Sequence, residues 1–185
     1  FSNDVDRLFL WGRMPVMFLS LLLGFYIFKW ASEMFSSKAG LLALFLYVFM
    51  PTMIANAQFV TTDLAVTAFS FITLYYLWKL FKFKSKKYLI YSGIFLGLAL
   101  GSKFSAVLLL PIIIPLIAVD LWFRKESFDS KIDKFAKLFL ALLALSSTVV
   151  YFMYLMPVDL SFYLRGMKSV YADWGNTYSF YLNGE

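Results

Sequence analysis

Any chemistry in this chain is done without the two most versatile side chains, because its 185 residues include no His and no Cys. The commonest general base and metal ligand is therefore missing, together with all thiolate and disulfide chemistry. Carboxylates, amides, hydroxyls, lysines and arginines remain. Those of interest border or interrupt apolar runs. Asn3-Asp4-Val5-Asp6-Arg7 leads to Arg13 at the mouth of the first run, and the stretch from Asn56 through Gln58 to Thr61-Thr62-Asp63 separates the second from the third. Ser102-Lys103 separates the fourth from the fifth, and a polar tail runs from Asp159 to Glu185. Arg13 and Lys103 suit an anionic ligand such as a lipid-linked phosphate, although long cations near helix ends also snorkel to the interface at little cost. Asp63 reads as a first-turn carboxylate, favoured by the helix dipole by about 0.3–1 kcal/mol, with Thr61 or Thr62 as N-cap. It is equally placed to pair with a cation or hold a substrate. Asp120 reads as an interface residue. There is no Gly-rich phosphate loop, nucleophile elbow or metal-ligand spacing. No cofactor site is evident, and a divalent metal is left open.

The elements that must position these residues are transmembrane helices. The chain is 62% hydrophobic and 15% charged, with mean hydropathy +0.76, whereas soluble domains carry roughly 25% charge. An all-α, polytopic transmembrane bundle follows, because an open strand edge in lipid would leave backbone groups unpaired. About six segments approach the roughly 20 apolar residues that a crossing needs: 14–30, 39–55, 62–78, 88–104, 105–123 and 135–156. They form a single transmembrane domain over 1–185, with outer loops at 1–13, 56–61 and 157–185. Trp11, Trp30, Trp78, Tyr88, Trp122 and Tyr154 fit an aromatic belt at the run ends.

Counting Lys and Arg on alternate sides gives twelve against five. Positive residues favour the cytoplasmic side, so both chain ends and all the polar clusters fall on the extracytoplasmic face. The net charge of +6 lies in short loops and reflects topology; nucleic acid is not an expected partner. Gly93, Gly97 and Gly101 form a smooth helix face, read as a packing stripe with a substrate groove as the alternative. Pro51, Pro111 and Pro115 are expected to kink their spans.

Four blocks carry a resemblance over nearly the whole chain: NDVDRLFLWGRMP, KAGLLALFLYVFMPTMIANAQFVTTDLAVTAF, GIFLGLALGSKFSAVLLLP and the closing YSFYLNGE. In this order they resemble the bacterial and archaeal relatives of the dolichyl-phosphate-mannose protein mannosyltransferases, glycosyltransferase family 39. The resemblance implies a GT-C type membrane enzyme of a prokaryotic plasma membrane. Such an enzyme moves a mannose-like sugar from a polyprenyl-phosphate donor to a protein or lipid acceptor on the extracytoplasmic side. It carries over Arg13 as the arginine opening the span after the first outer loop, Asp63 as the aspartate closing TTD, and Lys103 as the lysine of the SKFSA turn. Asp4, Asp6 and Arg7 match a polar block upstream. Asn56 and Gln58 depart from the family, whose members often carry a histidine and an arginine there.

The family's acidic base motif is expected upstream of Phe1, which makes this chain an expected internal fragment, inactive alone. Sugar transfer with inversion needs a carboxylate to take the acceptor proton and cations to stabilise the leaving phosphate. Arg13 and Lys103 meet the second need, and Asp63 is the orienting carboxylate. The competing readings are a transporter or flippase of a lipid-linked substrate, and an assembly subunit whose polar clusters only cap and anchor. A transporter commonly buries charge at the membrane midplane, and here those stretches are nearly free of charge. Sugar, acceptor, carrier and oligomeric state are not legible.

Overall fold

The computed structural model describes residues 5–58, 62–124 and 127–154, with 165–166, 168–169 and 172 in the tail; side chains are described from residue 11, except at 56–58. These residues form seven α-helices: α1 (Val5–Met34), α2 (Ser37–Val48), α3 (Pro51–Gln58), α4 (Thr62–Phe83), α5 (Lys86–Ser102), α6 (Leu109–Trp122) and α7 (Phe128–Met153). A 3-10 turn at Phe104–Leu108 precedes α6. No strand occurs among the described residues, as an all-α membrane bundle requires.

Among the described residues four helices are long and apolar enough to cross a membrane: Trp11–Met34, Thr62–Phe83, Phe104–Trp122 and Phe128–Met153. The expected count of about six is therefore not matched, and the reason is local in both remaining cases. The run 39–55 breaks at Met50, and Pro51 opens α3, a position where its missing N–H costs nothing. What is left is 12 residues and then 8, about 18 and 12 Å of helix. The helix α5 stops at 17 residues, about 25 Å, because Lys103 takes an extended backbone (φ −156°, ψ 137°). Pro111 falls in the first turn of α6, and Pro115 lies inside that helix. Helix α1 begins at Val5, so residues 5–13 are helical where a loop was expected. At 30 residues it is about 45 Å long and overshoots the hydrocarbon core of roughly 30 Å.

Contacts fix the directions of α2, α4, α5 and α7 relative to α1. Gly24 faces the Tyr47 ring while Gly40 faces the Phe28 carbonyl, so α2 runs back along α1. Tyr26 meets Tyr75 and Tyr76, and Trp30 meets Tyr75 and Trp78, so α4 runs parallel to α1. Ser92 donates to the Thr73 carbonyl at 3.3 Å and Phe69 meets Phe95, so α5 returns along α4. Gly93, Gly97 and Gly101 pack on Leu145, Val149 and Met153, so α7 runs parallel to α5. Successive passes thus alternate in direction, and α3 brings the chain back to the end where it entered.

The glycine stripe is a close helix contact. A Cβ at Gly93 would lie 2.6 Å from Leu145 Cβ, and one at Gly97 would lie 2.5 Å from Val149 Cβ and 2.8 Å from the Ser146 carbonyl. Small residues let two backbones approach this closely, and α7 fills the stripe. Around it Leu96, Ala99, Leu100, Leu142 and Val150 join Leu109, Ile113, Ile117 and Leu121 of α6 in the main core. The spacing of four in that last set is one face of a helix. The opposite faces stay apolar and uncovered, with Leu21 74% and Leu140 62% exposed. An apolar surface this extensive on a folded chain marks contact with lipid.

Candidate functional site

Two of the residues singled out in the sequence meet. Asp63 sits in the first turn of α4, and Lys103 is the residue on which α5 ends and the 3-10 turn begins. Their side chains form an ion pair between Lys103 Nζ and Asp63 Oδ1. The pairing depends on the packing beneath it. Thr73 and Ser92 hold α4 and α5 in antiparallel register, the α5 backbone is pressed onto α7 through the glycines, and Gly101 rests on Met153. The extended Lys103 backbone then directs the chain out of the helix just where α4 starts. Its N–H donates to the Ala99 carbonyl at 3.3 Å and its carbonyl accepts from Ala106 at 3.0 Å, so the break leaves these main-chain groups satisfied.

Both partners face solvent, with Lys103 43% and Asp63 54% exposed. Pairs of this kind contribute about 0–1 kcal/mol to folding. An interaction that weak does little for the bundle and leaves both groups open to exchange with a ligand. Around the pair, Thr67 Oγ1 donates to the Asp63 carbonyl at 2.7 Å and Ser102 Oγ to the Leu98 carbonyl at 2.6 Å. These hydroxyls are committed to their own helices.

Arg13 is exposed on α1, three residues before Val16. Val16 and Leu23 are buried in one cluster with Leu64 and Ala68, and Met53 packs against it. Arg13 and Asp63 therefore stand at the same end of the bundle, with α3 beside them. Met17, Leu21 and Phe25 follow Arg13 at intervals of four, on one helix face. They line an apolar cavity of about 550 Å³ together with Gly24, Leu44, Tyr47 and Ile54. Tyr47 is held there by Ser20, whose Oγ and carbonyl oxygen both lie 2.9 Å from its hydroxyl oxygen.

Asp4 lies outside the described residues. Asp6, Arg7, Asn56 and Gln58 have described backbone, all of it helical, but side chains outside the description. Gln58 closes α3, so 56–58 are helix where a loop was expected. In the tail, also expected as loop, the described positions are helical and Gly166 lies against the Phe104 ring, one residue from Lys103. No group of three His, Cys, Asp or Glu side chains gathers among the described residues.

Sequence reasoning missed the charge cluster at the opposite end. Glu33 Oε1 accepts from Lys79 Nζ and from Tyr75 Oη, each at 3.0 Å. Lys79 also lies over the rings of Tyr75 and Tyr88. With Lys79 14% and Glu33 30% exposed, this pair locks the ends of α1 and α4 together. The available signal was a lone Glu in a turn otherwise flanked by lysines. Asp120 pairs with Arg124 one turn on, in keeping with an interface residue.

With this geometry in place, comparison with known proteins adds one match. A family model described as dolichyl-phosphate-mannose-protein mannosyltransferase matches residues 9–155. No curated protein and no solved structure matches the chain.

Proposed function

Because the chain belongs to the dolichyl-phosphate-mannose-protein mannosyltransferase family, we propose that it forms part of a membrane glycosyltransferase acting at the Asp63–Lys103 end of the bundle. The donor is a sugar on a polyprenyl phosphate, and the acceptor is a protein hydroxyl or a lipid. The observation that carries this reading is the meeting of Asp63 and Lys103 from separate helices at the membrane end where Arg13 also stands.

In the proposed reaction the glycosyl–phosphate bond breaks as the acceptor oxygen attacks, and negative charge grows on the departing phosphate. Lys103 and Arg13 stabilise that charge. Preorganised groups aimed at developing charge commonly account for about 3–4 kcal/mol each, well above the worth of an exposed ion pair. Asp63 holds Lys103 in place until the phosphate arrives and then orients it, or the acceptor. The acceptor proton goes to a carboxylate outside the described residues. The apolar groove continuing from Arg13 through Met17, Leu21 and Phe25 suits the isoprenoid chain, whose phosphate would then lie at the Arg13 end.

We assign this end to the extracytoplasmic side, since the lysine-rich turns lie at the other. Passage of substrate through the bundle is disfavoured by its interior. Among the described residues the buried polar ones are Thr73, Ser92 and Ser146, and all three hydroxyls donate to backbone carbonyls.

The test is sugar transfer by the full-length protein in membranes with a polyprenyl-phosphate donor. Lys103→Gln should lower kcat/KM by about a hundredfold with little change in thermal midpoint, and Asp63→Asn should lower it by a smaller factor. The double variant should resemble Lys103→Gln alone, because Asp63 acts through Lys103. Full turnover in Lys103→Gln, or loss of activity matched by loss of folding, overturns the assignment.

A further inference from the structure

The turn that joins α4 to α5, at the end of the bundle away from the Asp63–Lys103 pair, carries Lys82, Lys84, Lys86 and Lys87, all exposed. We propose that it is a binding site for anionic phospholipid, the four ammonium groups holding headgroup phosphates while Phe83 enters the acyl layer.

A bias toward lysine in the loops on one side of a membrane explains why lysines are found at this end. It does not explain their isolation from acids. The sequence holds no Asp or Glu between Asp63 and Asp120, and among the described residues no carboxylate pairs with any of the four. Neighbouring cations differ in this. Lys79, one turn before Lys82, is committed to Glu33, and at the same end of the bundle Arg124 pairs with Asp120 and Lys137 with Asp133. Helix formation does not call for the four either. Lys82 complements the dipole in the last turn of α4, but Lys86 and Lys87 open α5, where the dipole disfavours a cation.

The surroundings select lipid over a soluble acid. Lys82 Nζ lies 4.9 Å from the centre of the Trp78 ring and 5.6 Å from that of Phe83, and Lys87 Nζ lies 5.7 Å from that of Tyr91. Ammonium groups held over rings keep their outer N–H groups open to an anion, and Trp and Tyr favour the headgroup region of a bilayer. Phe83, between Lys82 and Lys84, is 55% exposed. Apolar rings beside basic heads are the pattern of a segment lying on an anionic membrane, where each lysine adds to the attraction. An acidic peptide in water would pair with the lysines but leave Phe83 in solvent.

The test uses the full-length protein in neutral detergent micelles, with phosphatidylglycerol and phosphatidylcholine supplied in equal amounts and the retained ratio read by native mass spectrometry. The wild type should retain phosphatidylglycerol in excess, and Lys86→Gln/Lys87→Gln should lower the ratio about fivefold or more. Lys131→Gln/Lys137→Gln removes ammonium groups already engaged by the Trp122 carbonyl and Asp133, and should change the ratio less than about twofold. Lys86→Arg/Lys87→Arg should keep the wild-type ratio, which separates lost charge from lost folding. Equilibration at about 1 M salt, where the screening length is about 3 Å, should lower the wild-type preference with no substitution at all. Equal losses in the two glutamine pairs, or equal retention of the two lipids by the wild type, overturns the proposal. So does retention of a soluble polyglutamate peptide that Lys86→Gln/Lys87→Gln weakens while the lipid ratio stays unchanged, which would assign the turn to an acidic partner in water.

Discussion

Replacing Gly97 by Ala adds a single methyl group, and the structure says where it goes. The new Cβ would lie 2.5 Å from Val149 Cβ, 3.0 Å from Val149 Cγ1 and 2.8 Å from the Ser146 carbonyl oxygen. Carbon atoms pack best at about 3.5–4.0 Å, so α5 and α7 must separate by about 1 Å at this level. The Ser146 oxygen belongs to the helix backbone and cannot swing aside as a side-chain tip could. Overpacking of this kind costs about 1–3 kcal/mol, and the immovable carbonyl puts Gly97 in the upper half of that range. Against it, Ala is about 1 kcal/mol better than Gly within a helix, leaving a net loss of about 1–2 kcal/mol. Gly12 on α1 is the internal control, since a Cβ there meets nothing within 4 Å. Gly12→Ala should gain up to about 1 kcal/mol from the same propensity term. The assay is equilibrium unfolding of the full-length protein in mixed detergent micelles, followed by Trp fluorescence and circular dichroism. The two variants should move in opposite directions and differ by about 2–3 kcal/mol. A Gly97→Ala protein as stable as Gly12→Ala would refute close helix packing as the purpose of the stripe.

Two further substitutions test the lysine-rich end. Glu33→Gln keeps the shape but removes the charge that holds Lys79 and Tyr75, and hydrogen bonds to charged groups are worth about 1.5–3 kcal/mol. It should lower the unfolding midpoint, whereas Asp133→Asn, at the exposed pair with Lys137, should change stability by less than about 0.5 kcal/mol. Equal effects would mean that the Glu33 cluster does not join α1 to α4. Lys84→Gly relieves a left-handed conformation costing about 1–2 kcal/mol for a residue with a Cβ and should raise stability. A drop in stability would show that the lysine side chain itself holds the end of α4.

The helices were legible because a bilayer allows so few solutions. An uninterrupted apolar run such as 62–78 has to be helix, and it appears inside α4. What misled was length. Run 39–55 is apolar throughout, yet Pro51 begins a new helix, and hydropathy does not register a missing N–H. Run 88–104 ends early because Lys103 leaves the helix, which is also what aims it at Asp63. The meeting of Asp63 and Lys103 was suggested only as two charges beside spans on one face; the pair itself depends on antiparallel register, which side-chain contacts set and composition does not encode. The Glu33 cluster was less visible still, because its parts are ordinary residues whose partners come from another helix.

The ion pairs Lys79–Glu33 and Lys103–Asp63, each joining separate helices, differ in a way that bears on which end does chemistry. At Glu33 the carboxylate serves both an ammonium and a phenol, the lysine is largely buried beneath aromatic rings, and a ligand could enter only by breaking those contacts. At Asp63 the two charges touch each other and otherwise face outward, so a phosphate could displace the carboxylate from Lys103 at a cost of about 1 kcal/mol or less. Rigidity lies one layer deeper, where Gly101 rests on Met153 and Ser92 is bonded to the Thr73 carbonyl. A fixed backbone carrying loosely paired charges is what binding and release of a charged headgroup require. If α5 shifts in Gly97→Ala, Lys103 moves with it, and sugar transfer should fall by more than the loss of folded protein accounts for. Activity that tracked the folded fraction alone would separate the glycine stripe from the site.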